Sequence, residues 1–310
     1  MSVQVKSIAS SISEDTGIRL DTLQVRYWRA IHGEVMTHRV FSRNASSSRA
    51  IPHASILVRD AEMFVPRFRK NKPGMQPGDF LSAEDQAEAE RIWRDMAEYV
   101  LNGTRQLAAK TGLNIHKQWV NRPVEWFGYI DVLITSTEWS NFDGLRIHED
   151  AQDEIRELAT EMKQVRDATT PRILRHGQWH LPYIREDDVD LAEHTVRRKM
   201  LPEDVMQVVY PLMSIKGLDG AKTVSARNAL LLAMSAARCC RLSYSKLDGE
   251  PTTIPDDMRR YSGLAGSDPK HASPLEHQGR PLLLCEDERL QGNFKGFAQF
   301  RKFLPNENIL

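Results

Sequence analysis

Cysteine is scarce in this chain: three occur in 310 residues, and two of them are adjacent, Cys239 and Cys240. Three thiols at such spacing build no disulfide framework, and no Cys/His spacing matches a zinc site, so no metal is expected. They suit a reducing cytoplasm, where a small buried thiol is an ordinary core residue. Long apolar runs are missing too. A membrane-spanning helix needs about 18 to 20 apolar residues, and no stretch comes close. The polar N-terminus lacks the apolar core of a signal peptide. Neither sign of charge is in excess, since 42 Lys and Arg balance 42 Asp and Glu. Such a chain holds nucleic acid poorly by charge alone, and no nucleic-acid partner is expected. Phosphate-loop and dinucleotide glycine fingerprints are absent, and so is any internal repeat.

What is present is concentrated. Residues 37–49 contain His38, three arginines (Arg39, Arg43, Arg49), Asn44 and four serines (Ser42, Ser46, Ser47, Ser48). No core helix or strand needs that mixture. Arginine forks match phosphate and carboxylate oxygens, and serine hydroxyls with free backbone N–H groups cradle the same oxygens. The segment reads as a binder of anionic, hydrogen-bonding ligands.

Patterning gives a coarse layout. Residues 1–20 are Ser-rich and read as a flexible extension. Residues 23–36 suggest a strand followed by a helix, and 42–52 and 67–78 read as loops. Ser82 with Asp85 marks a helix start, continued by Ile92, Trp93, Met96, Tyr99, Val100 and Leu107. Further helices are expected over 125–135, from about 150 with Ile155, Leu158, Met162 and Val165 on one face, and over 225–244. Residues 176–182 form a polar-aromatic turn whose His176 and His180 read as surface groups, and 292–303 as a strand or edge segment. Residues 67–72 are basic, with Phe64 and Phe68 nearby. Their ordinary reading is a solvated loop, but they keep open a catalytically silent nucleotide- or RNA-binding protein.

Residues 37–49 also resemble the signature of flavin-dependent thymidylate synthases, R-H-R-x-x-S-x-N-E-x-S-x-R. His38, Arg39, Ser42, Asn44, Ser47 and Arg49 match it, while Thr37 and Ala45 stand where the family has Arg and Glu. Asn141, Phe142, Leu145, Arg146 and Gln152 resemble a second block of that family. His271, Ser273, Pro274, Glu276 and His277 resemble a third, preceded by an Ala-Ala-Arg run at 236–244. In ordinary members the third block precedes the signature; here it follows. The chain therefore looks circularly permuted and extended, an arrangement that suits a phage genome and hence a host cytoplasm. The implied layout is a flexible extension (1–20), a first segment of the catalytic core (21–166), a connecting insertion (167–221), a second segment of the core (222–278) and a C-terminal extension (279–310).

The resemblance implies an α+β fold with a central sheet flanked by helices, and a homotetramer with sites shared between subunits. It implies reductive methylation of dUMP to dTMP, with FAD as cofactor and NADPH and methylenetetrahydrofolate as co-substrates. Arg146 would be the catalytic group, at the O2/N3 edge of the pyrimidine. Glu34, Ser46, Ser47, Ser48, Arg49 and Arg122 would hold the nucleotide. Thr37, His38, Arg39, Asn44, Asn141, His271 and Ser273 would line the flavin. Thr135 and Thr137 would replace polar flavin contacts of compact members. Because Thr37 and Ala45 depart together, a pyrimidine nucleotide hydroxymethylase on the same fold remains an alternative.

Overall fold

Leu23, Val25 and Tyr27 alternate with Thr22, Gln24 and Arg26, the period of a strand with two different faces. In the computed structural model, which describes residues 3–54, 63–198, 201–220, 224–243, 252–265, 267, 270–305 and 307, these residues lie in a five-stranded sheet. Its strands are β1 (Gln4–Ser13), β2 (Arg19–Trp28), β3 (Ser42–Ala45), β4 (Tyr129–Ser136) and β5 (Arg172–Leu174). They run in the order β3-β4-β2-β1-β5, antiparallel except where β5 joins β1. A two-stranded ribbon, β6 (Gly279–Pro281) with β7 (Phe297–Gln299), lies apart from it in the hydrogen-bond pattern.

The helices are α1 (His32–Met36), α2 (Ala83–Ala108), α3 (Lys117–Val120), α4 (Ser140–Arg146), α5 (Asp153–Ala168), α6 (Glu186–Arg197), α7 (Glu203–Met213), α8 (Ala226–Cys239) and α9 (Ile254–Arg260). Ser82 caps α2 by accepting from the Asp85 amide, as its spacing predicts. One face of the sheet is apolar: Leu23, Val25, Ile130, Val132 and Ile134 pack against Ile155, Leu158 and Met162 of α5 and against Phe142 of α4. A second apolar cluster joins α6, α7, α8 and α9 to Trp179, Leu275 and Phe300. Helices thus flank a mixed, mostly antiparallel sheet.

The other sheet face is buried and polar. His180 bonds Ser11 through Nδ1 at 2.9 Å and Thr22 through Nε2 at 2.8 Å. Thr22 meets Thr135 at 2.7 Å, and Thr135 meets Nδ1 of His277 at 2.8 Å. All five groups are buried, and burial pushes both imidazoles down to about 3, so they are neutral. This chain ties β1, β2 and β4 to the 176–182 turn and to the segment before β6.

Several expectations need correction. Residues 4–13 are a strand of the sheet, not a loose extension: the buried Ser11 hydroxyl meets His180 on the polar face, and that of Ser13 accepts from the Thr16 amide in the turn that follows. Residues 129–136 form β4 where a helix was expected. That strand is covered on both faces, and Leu133 on the second face joins Val132 and Ile134 into a continuous apolar run that masks the alternation. Residues 42–45 form β3 within an expected loop. His180 is core, not surface. Thr135 is sealed inside the sheet, bonded to Thr22 and His277, and Thr137 accepts from the Lys295 amide at 2.8 Å. The expected 225–244 helix ends as α8 at Cys239, and Tyr244 lies outside the described residues.

Candidate functional site

The local sequence fixes how α4 is held. Trp139 and Phe142 point into the apolar layer, and Arg166 of α5 pairs with Asp143 at 2.7 Å while its guanidinium lies 4.3 Å from the Trp139 ring centre. Arg146 follows Phe142 by one helical turn, on the same face. His38 meets Phe142 edge-on, with ring centres 4.9 Å apart. The result is a direct contact: Arg146 donates Nε–H to His38 Nε2 at 3.0 Å and Nη2–H to Thr37 Oγ1 at 3.3 Å.

That bond fixes a protonation state. A guanidinium only donates, so His38 Nε2 must accept, and the ring proton sits on Nδ1. Burial, then the charges of Arg146 and Arg43, hold the imidazole below its ordinary range, which agrees with the neutral form. Arg43 was not among the expected site residues. Its Nη1 donates to the carbonyls of Val35 (3.3 Å), Met36 (2.8 Å) and His38 (3.2 Å), gathering the chain end that follows α1. The arginine was visible in the sequence, but three carbonyls converging on it were not.

On β3, Asn44 donates to the Cys239 carbonyl at 2.5 Å and accepts from the Ser273 hydroxyl at 3.1 Å. Two of the three sequence blocks therefore meet within one chain, and Arg146 brings in the remaining one. Gln299 adds a 3.0 Å bond to Ser42.

Beyond β3 a small pocket opens. Ser46 and Ser48 line it with Arg26, Arg29, Glu125 and Asp131. Arg26 lies 3.5 Å from Asp131, and Arg29 lies 2.9 Å from Glu125. Ser46 accepts from the Asp131 amide at 3.2 Å, whereas the buried Ser48 Oγ has no partner among the described residues. Arg26 and Asp131 face each other across the β2–β4 register. Reading β4 as a helix hid that pair.

The remaining expected residues are spread. Ser47 and Arg49 are exposed at the turn after β3. Arg122 is exposed and lies 3.4 Å from Glu125, at the pocket's edge. Arg39, Asn141 and His271 are exposed. Glu34 is exposed on α1, and its carbonyl accepts the Thr37 hydroxyl at 2.6 Å. Of the basic 67–72 run, Arg67 and Arg69 stack on Phe80 at 3.7 and 3.8 Å, and Arg69 pairs with Asp153 at 2.7 Å. Among the described residues no group of three or more His, Cys, Asp or Glu is placed to hold a metal ion, and no helix is long and apolar enough to cross a membrane.

No family model matches the chain, and no curated protein matches it. Among solved structures it is similar to a UMP/dUMP methylase, PolB, from Streptomyces cacaoi bound with 5-Br UMP: 18% identity, 53% of this chain, 88% of that chain, TM-score 0.45. It is also similar to thymidylate synthase X from Helicobacter pylori with FAD and dUMP: 16% identity, 47% of this chain, 67% of that chain, TM-score 0.33.

Proposed function

We propose that this chain is a flavin-dependent, thymidylate synthase-like enzyme that methylates dUMP reductively, with methylenetetrahydrofolate and NADPH as co-substrates. The observation that carries the reading is the meeting of the three sequence blocks: Arg146 with Thr37 and His38, and Ser273 with Asn44. Each of these bonds also holds the fold together, but their joining all three blocks in one place is what the resemblance requires of a shared site. The contacts also support treating 21–166 and 222–278 as one permuted core.

Arg146 keeps donors for a ligand. A guanidinium has five N–H groups. His38 and Thr37 take one each, which leaves three. Aimed at the O2/N3 edge of a pyrimidine, they stabilise negative charge as C5 becomes nucleophilic. Ser46, Ser47, Ser48, Arg49 and Arg122 serve the nucleotide phosphate; the unpartnered Ser48 hydroxyl fits that role. Glu34 borders the pyrimidine. The exposed donors of Arg39, Asn141 and His271, with Thr37, His38, Asn44 and Ser273 behind them, suit a phosphate-bearing aromatic cofactor, here FAD. When bound, FAD supplies the hydride. Ile92, Met96 and Tyr99 form an exposed apolar stripe along α2, which supports self-association into the homotetramer.

The test is turnover of dUMP by purified protein. The reading expects a flavin absorption band that survives gel filtration and dTMP formation that requires NADPH. Hydroxymethylated product without NADPH would establish the hydroxymethylase instead. A colourless protein without nucleotide turnover would leave only a binding role.

A further inference from the structure

We propose that Thr37 and His38 form a neutral two-point clamp that aims the Arg146 guanidinium, so that both are positioning residues for whatever electron-rich heterocycle Arg146 contacts. The inference rests on the proposed role of Arg146 and names what sets its direction.

The geometry is specific. The clamp takes the inner edge of the guanidinium, Nε–H by His38 at 3.0 Å and one Nη2–H by Thr37 at 3.3 Å. Nη1 is left without a bond to the described residues. Both acceptors are themselves fixed. Thr37 Oγ1 gives its hydrogen to the Glu34 carbonyl at 2.6 Å, which turns its lone pairs toward Arg146. The His38 ring lies against Phe142 and Phe41, and its carbonyl accepts from Arg43. A planar donor fork with one edge held and the other open has a single direction to offer.

Neutrality is the essential property. An arginine at position 37 could only donate, so it could not hold Arg146 and would bring a second guanidinium against it. Thr37 supplies an oxygen in its place. The charged groups acting on His38 are Arg146 from α4 and Arg43 from β3, both of which oppose its protonation. A protonated His38 would lose its acceptor and release Arg146.

The experiment compares wild type, His38→Leu, His38→Gln, Thr37→Val, Arg146→Ala and the double variant His38→Leu with Arg146→Ala. Readouts are dUMP affinity by calorimetry, the pH profile of turnover, and the ¹⁵N spectrum of the His38 ring. A hydrogen bond to a charged group corresponds to about 10- to 100-fold. His38→Leu is expected to weaken dUMP binding or turnover by that factor, and Thr37→Val by less. His38→Gln, whose amide oxygen replaces Nε2 as acceptor, restores most of the loss and removes the acid limb of the profile. The double variant is no worse than Arg146→Ala alone. Additive losses, or His38→Gln falling with His38→Leu, would overturn the clamp. Absence of dUMP binding by the wild type would defeat the functional reading instead. In that case the ¹⁵N spectrum decides alone: a bare Nε2 and a slowly exchanging Arg146 Nε–H that His38→Leu abolishes support the clamp, and an Nε2-protonated ring refutes it.

Discussion

Ser273 donates its hydroxyl hydrogen to the side-chain oxygen of Asn44 at 3.1 Å, across 229 positions of the chain. Asn44 spends its own N–H on the Cys239 carbonyl. The amide is therefore a joint between β3, the end of α8 and the 271–277 segment. Asn44→Ala removes both bonds and is expected to cost about 1–3 kcal/mol, with Ser273→Ala costing about half as much. Urea midpoints at constant m-value measure both. Equal losses would show that the Cys239 bond contributes nothing.

The buried chain from Ser11 to His277 sets an acid limit. Both imidazoles sit near 3 in the fold and near 6.5 when unfolded. Their contribution is complete above about pH 6.5 and is lost as pH falls through the window toward 3. Each histidine then adds about 1.4 kcal/mol per pH unit to the slope. His277→Gln is expected to flatten the stability curve between pH 6 and about pH 4 by that amount relative to wild type. An unchanged slope would mean that the imidazole titrates normally in the fold.

Ser46 and Ser48 separate stability from binding. Ser46→Ala removes the acceptor of the Asp131 amide and is expected to cost about 1 kcal/mol. Ser48→Ala removes a buried hydroxyl without a bond to the described residues, so thermal unfolding should stay level or rise slightly. If Ser48 serves the phosphate, the same change weakens dUMP by several-fold in a calorimetric titration. A destabilised Ser48→Ala would assign the hydroxyl to the fold.

Arg43 holds three carbonyls at once. Arg43→Ala is expected to loosen residues 35–41 and to cost about 2 kcal/mol, since it takes a charged donor from three carbonyls, of which those of Val35 and His38 keep a backbone amide, and removes a part-buried side chain. Amide hydrogen exchange resolves the effect by segment. Protection unchanged across 35–41 would assign that order to the Phe41 and Phe142 packing alone.

Restoring the Arg and Glu that the resemblance implies at 37 and 45 is expected to hurt. Thr37→Arg removes one acceptor from Arg146. Ala45→Glu puts a carboxylate against the apolar cluster under the sheet. A double-mutant cycle on dUMP turnover tests whether the pair compensates. A gain from Thr37→Arg alone would show that Thr37 is no clamp.

The sequence by itself determined the elements whose signal is local. Ser82 and Asp85 announce the start of α2. The one-face spacing of Ile155, Leu158 and Met162 announces α5. The crowding of Arg, Ser, His and Asn at 37–49 marks a segment that needs polar partners, and the fold supplies them to Ser42, Arg43, Asn44 and Ser46. The tertiary structure decided what depends on both sides of an element. β4 looks helical until it is seen covered on both faces. The serines of β1 look disordered until His180 and Asp21 reach them. Above all, the direction of Arg146 is set by His38, 108 positions away, and a contact at that separation leaves no periodicity in the chain.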